Sequence, residues 1–78
     1  MPRFFFHLYN DVTSRDEEGK DLPDQSAAHH QALAYARDMA AVTVREGHLT
    51  LSHRIEVTDH EGGLVLELPF RNAVHIKD

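Results

Sequence analysis

QSAAHHQALAYARDMAAVTVRE, residues 25–46, decides the fold. It is rich in Ala, Leu, Met, Gln and Arg, contains neither Gly nor Pro, and so predicts one long helix. Both ends carry stop signals. Leu22-Pro23-Asp24 supplies an entry in which the Asp24 carboxylate caps the free N–H groups of the first turn, and Gly47 is placed to end the helix in a left-handed conformation. At 100° per residue, Ala32, Leu33, Ala36, Met39, Ala40 and Thr43 share one arc, with His29 and Val44 near it. His30, Arg37, Asp38 and Arg45 lie opposite. The alanines let such a helix sit close to a sheet.

Outward from the helix the period changes from 3.6 to 2. On the N-terminal side, Arg3–Tyr9 is dense in aromatic residues and predicts a strand; Asn10-Asp11 supplies the turn, and a second arm follows from Val12 to about Asp16. That arm dissolves in the acidic turn Asp16–Lys20, where Gly19 can take a positive φ. On the C-terminal side, Ile55 and Val57 alternate with Arg54, Glu56 and Thr58. After the turn Asp59–Gly63, the stretch LVLELPF at 64–70 predicts Leu64, Leu66 and Leu68 inward, Val65 and Glu67 outward, and Pro69 as the end of the ladder. The tail from Phe70 to Asp78 has enough apolar residues to pack a last segment.

The element order is ββαββ, the fold class α+β: an antiparallel sheet with one long helix on one face, in a single domain over residues 1–78. The helix is about 33 Å long and a seven-residue strand about 23 Å, so the helix overhangs. Either it breaks near Val42-Thr43-Val44, or its last turns find apolar company in another subunit.

Three consecutive rings at Phe4, Phe5 and Phe6 raise a further question, because a strand alternates its side chains. Phe4, Phe6 and Leu8 are expected against the helix. Phe5, His7 and Tyr9, joined by Val65, then form an aromatic patch on the other face, the kind of surface that marks an interface. A homodimer or another protein partner is the expected cover. His7 in that patch has three readings: a polar anchor, a proton-sensitive interface residue, or a half-buried strand histidine.

Composition narrows the function classes. The chain has 78 residues, a formal net charge of −5 and no cysteine, which leaves no disulfide, thiolate metal site or thiol nucleophile. The eight Lys and Arg residues are scattered, which weighs against binding a nucleic-acid backbone. No apolar run approaches a membrane span or a secretory signal, so a cytoplasmic protein without membrane contact is expected.

Seven histidines invite a metal reading that their spacing does not support. His29 and His30 are adjacent, and neither has a histidine at i+3 or i+4; His48, His53, His60 and His75 fall in loops or at strand ends. The acidic cluster Asp16, Glu17, Glu18, Asp21 and Asp24 lacks the alternating ligands of a calcium loop. Asp59-His60-Glu61 sits at a hairpin tip without enclosure, and Ser14, Ser26 and Ser52 lie in no nucleophile motif. Neither a metal, a cofactor nor catalysis is expected. A non-catalytic protein-interaction module acting as a homodimer is.

MPRFFFH at the start, DEEGKDLPD before the helix, and VTDHEG followed by LPFRNAV together resemble a family of short, mainly α-proteobacterial proteins that form a domain of unknown function. The resemblance covers nearly the whole chain and implies a free-standing cytoplasmic protein with no assigned activity. His53 departs from the family's frequent aromatic at that position. A more distant likeness, over half the chain, is to antitoxins of the HicB type, through Asp16, Gly19, Pro23, Asp24, Ala32 and Ala36. It implies an alternative role, a regulator binding a toxin or nucleic acid.

Overall fold

The structure, a computed structural model, describes residues 1–78. Helix α1 spans Gln25–Arg45, within a residue of its expected end. At its start the Asp24 carboxylate accepts the Ala27 N–H at 2.9 Å. At its end Gly47 takes φ +100°, and the His48 and Gly47 N–H groups donate to the Thr43 and Val44 carbonyls, both at 2.9 Å. This doubly bonded cap is why the helix stops there.

The buried stripe is Ala28, Ala32, Ala36, Ala40 and Thr43. It is narrower than the expected arc, since Leu33 and Met39 flank it half-buried and both His29 and Val44 are exposed. Methyl groups occupy the line of closest approach, and longer side chains are displaced to its sides.

Beneath α1 lies a five-stranded antiparallel sheet, so the α+β expectation holds. Its strands are β1 (Arg3–Tyr9), β2 (Thr13–Ser14), β3 (Lys20–Asp21), β4 (Arg54–Thr58) and β5 (Leu64–Pro69). The order is β2-β1-β4-β5, with β3 also on β1. On the helix side Phe6 pairs with Val57, Leu8 with Ile55, Val57 with Leu66 and Ile55 with Leu68. Phe4, Phe6, Ile55, Val57 and Leu68 form the core with the alanines of the stripe, Leu8 and Leu66 pack against it half-buried, and Phe70 and Ala73 extend it at one end.

Three expectations are corrected. The second arm of the first hairpin is not continuous: two short rungs pair with β1, Ser14 with Leu8 and Lys20 with Phe4, and the chain between them bulges out. The Asp16 carboxylate, rather than a backbone carbonyl, meets the Phe6 N–H in the gap, at 3.1 Å. In β5, Leu64 is 60 % exposed and Val65 packs against the core, the reverse of their expected sides. An irregularity at Val57/Thr58 pairs Val57 with Leu66 and Thr58 with Leu64, which takes Val65 out of the alternation.

The helix runs unbroken through Val42-Thr43-Val44, where Val42 and Val44 are exposed. A 3₁₀ turn at Phe70–Asn72 contacts α1, and Arg37 Nε donates to the Ala73 carbonyl at 2.8 Å. The result is a slab of 40 × 24 × 16 Å. Its radius of gyration, 12.6 Å, exceeds the about 11.5 Å of a compact chain of this length, because the sheet is covered by a helix on one face only.

Candidate functional site

The side of β1 away from the helix is closed largely by the chain itself. Asp16 organises the closure. One carboxylate oxygen takes the Phe6 N–H, and the other takes the Glu18 and Gly19 N–H groups, each at 3.1 Å. Partial burial acts to raise this carboxyl's pKa, but the three N–H donors and nearby His7 outweigh it and hold it below its ordinary value. The Asp16 N–H in turn donates to His7 Nδ1 at 3.0 Å, and His7 Nε2 lies 2.9 Å from Thr58 Oγ1. Nδ1 is therefore the acceptor, so neutral His7 carries its proton on Nε2 and donates it to the threonine.

His7 is 4 % exposed, which makes it a strand histidine sealed in its own domain rather than a residue offered to a partner. Phe5 is half-buried beside Gly19, where a Cβ would lie 2.8 Å from the ring. The approach requires a glycine, and φ at Gly19 is +72°. Arg3 bonds Asp21 at 3.0 Å and the Glu18 carbonyl at 2.8 Å, fastening the far end of the bulge. This pair lowers the Asp21 pKa and raises that of Arg3.

Farther along the same face, the Arg54 guanidinium stacks 4.5 Å from the centre of the Tyr9 ring and pairs with Glu56 at 2.9 Å and Glu67 at 3.5 Å. The sequence thus locates Phe5, His7 and Tyr9 on one face correctly, but that face is a polar lattice with an intramolecular cover. Val65 does not join it.

Two other surfaces remain open. The first is a groove of about 450 Å³ between α1 and β1, lined by Phe6, Leu8, Tyr35, Met39 and Ile55, with Asp16 and Asp38 at its edge. Tyr35 meets Phe6 edge to face, ring centres 5.2 Å apart. Sequence reading misses this groove because three elements build it; its one local signal is Tyr35 and Met39 at i, i+4 beside the alanine stripe. The second is the outer edge of β5, which pairs with β4 alone.

No three His, Asp or Glu side chains converge as a metal ligand set. The histidines do not all behave as expected, however. His53 is 6 % exposed, edge to face with Phe70 at 5.8 Å; its Nε2 is 3.5 Å from Asp11, and its buried Nδ1 has no partner. It occupies an aromatic position in the core rather than a solvated strand end. No helix is long and apolar enough to cross a membrane.

The fold and these surfaces define a two-layer α+β domain with one half-open sheet. More particularly, the chain belongs to the family described as Domain of unknown function (DUF6894), which it matches over residues 3–71. No curated protein and no solved structure matches it.

Proposed function

We propose that this protein is a non-catalytic interaction module that works as a homodimer, joined through β5. The contrast between the two edges of the sheet carries the reading. The outer edge of β1 is closed by β2 at one end, by β3 at the other and by the Asp16 carboxylate between them. The outer edge of β5 offers Leu64-Val65-Leu66-Glu67-Leu68 with no backbone partner beyond β4. Its protection is limited to Glu67 and the terminal Pro69. An apolar edge of this length is a template for another strand.

A second copy fits because β5 is compatible with itself. Antiparallel pairing about Leu66 sets Leu66 against Leu66 and Val65 against Glu67, and keeps the two Glu67 carboxylates apart. The two five-stranded sheets then become one, with both helices on the same side. Because this pairing is isologous, each β5 edge is used up by its counterpart, and assembly closes at two.

Sedimentation equilibrium over a range of concentrations tests this. The wild-type chain is expected as a dimer and Leu64→Lys as a folded monomer, because Leu64 is already 60 % exposed and its replacement costs little core. A monomeric wild type, or a Leu64→Lys variant that dimerises equally well, refutes the reading.

A further inference from the structure

We propose that the groove between α1 and β1 is a docking site for a segment of a partner polypeptide that carries an apolar side chain next to an arginine or lysine. The site is independent of the β5 edge and lies on the opposite side of the sheet order.

Three observations select this occupant. Five of the seven lining residues are hydrophobic, so the floor rewards burial of apolar area. The charged groups at its edge are both carboxylates, and none of the seven residues is cationic. Asp16 is held ionised by the N–H groups it accepts, whereas Asp38, exposed on the helix, has no ion-pair partner in the chain. An apolar floor beside an unpaired anion complements an apolar group followed by a cation.

The shape favours a chain segment over a small molecule. The groove is a trough walled by a helix and a strand, presenting Tyr35 and Met39 from one and Phe6 and Leu8 from the other. Whatever lies in it keeps one side in solvent. A peptide satisfies this by turning its alternate side chains and its polar backbone outward, whereas an isolated apolar molecule leaves half its surface wet. The volume is within the range of small ligand sites, enough for a few side chains and not for a folded domain.

The test uses two defined probes, the blocked peptides acetyl-Leu-Arg-Phe-amide and acetyl-Leu-Glu-Phe-amide, titrated into ¹⁵N,¹³C-labelled full-length protein. Saturable shifts at Leu8, Tyr35, Met39 and Ile55 are expected with the arginine peptide, and weaker or no shifts with the glutamate peptide. Asp38→Asn is expected to weaken the arginine peptide about threefold to fivefold at low salt, the range of one exposed ion pair, and to leave the unfolding midpoint unchanged. Asp38→Lys is expected to invert the preference between the two peptides. Equal affinity for both, indifference to Asp38→Lys, shifts centred elsewhere, or binding of neither peptide at millimolar concentration overturns the proposal.

Discussion

Replacing Asp16 by alanine tests the account of the β1 edge at its centre. The substitution removes the acceptor for three N–H groups, of which the Phe6 N–H is partly buried and belongs to a core strand. Leaving that donor unpaired costs about 1–2 kcal/mol; the Gly19 N–H, also partly buried, adds about 0.5–1 kcal/mol, and the exposed Glu18 N–H about half a kcal/mol at most. The expected loss is about 2–3 kcal/mol against a total of about 4–12 for a chain of this size. In a thermal melt this is a drop of about 10–20 °C. Urea unfolding followed by circular dichroism at matched protomer concentration measures it directly. Asp16→Asn is expected to lose nearly as much, because its amide nitrogen turns a donor toward donors. The sign with pH follows from the lowered pKa: the contribution is complete above the unfolded value of about 4 and fades as pH falls through the folded one, so wild type and variant converge in acid. A loss under about 0.5 kcal/mol at pH 7, or a gap that does not close in acid, refutes the assignment.

Two further substitutions probe neighbouring arguments. Gly19→Ala is expected to cost about 1–3 kcal/mol, since it combines a positive φ with contacts of 2.8 Å to Arg3 and Phe5 and 3.0 Å to the Phe4 carbonyl; unchanged urea stability counts against the close packing of the bulge. His53→Phe is expected to be neutral or to stabilise by up to about 1 kcal/mol, because it keeps an aromatic edge on Phe70 and removes the unpartnered Nδ1; a clear loss in the same assay shows that the Asp11 contact matters more.

The helix was legible almost to the residue because its determinants are local: an aspartate cap, an uninterrupted run of helix formers and a glycine that completes the terminal hydrogen bonds. The core sides of β1 and β4 were legible for the same reason, since Phe4, Phe6, Ile55 and Val57 keep a strict alternation. What escaped depends on residues distant in sequence. Asp16 meets the local N–H groups of Glu18 and Gly19, a pattern visible in the turn, but its bond to Phe6 needs the folded hairpin and splits the second arm. His7 was placed on the correct face, yet alternation says nothing of the bulge that seals it. Val65 was misplaced by one irregular rung. The groove draws on β1, α1 and β4 together with Asp16, so no single period announces it.

The position of β1 in the sheet also orders events in time. Its inner neighbour is β4, and the His7–Thr58 contact joins residues 51 positions apart. During synthesis β1 emerges well before its partner β4, and at about 5–20 residues per second the delay is about 3–10 s. Throughout that interval β1 holds its three phenylalanines beside an unpaired inner edge, a state open to foreign strands. This phenylalanine-rich strand is thus made before the partner that covers it, so folding yield, as well as final stability, is exposed to competition from other strands.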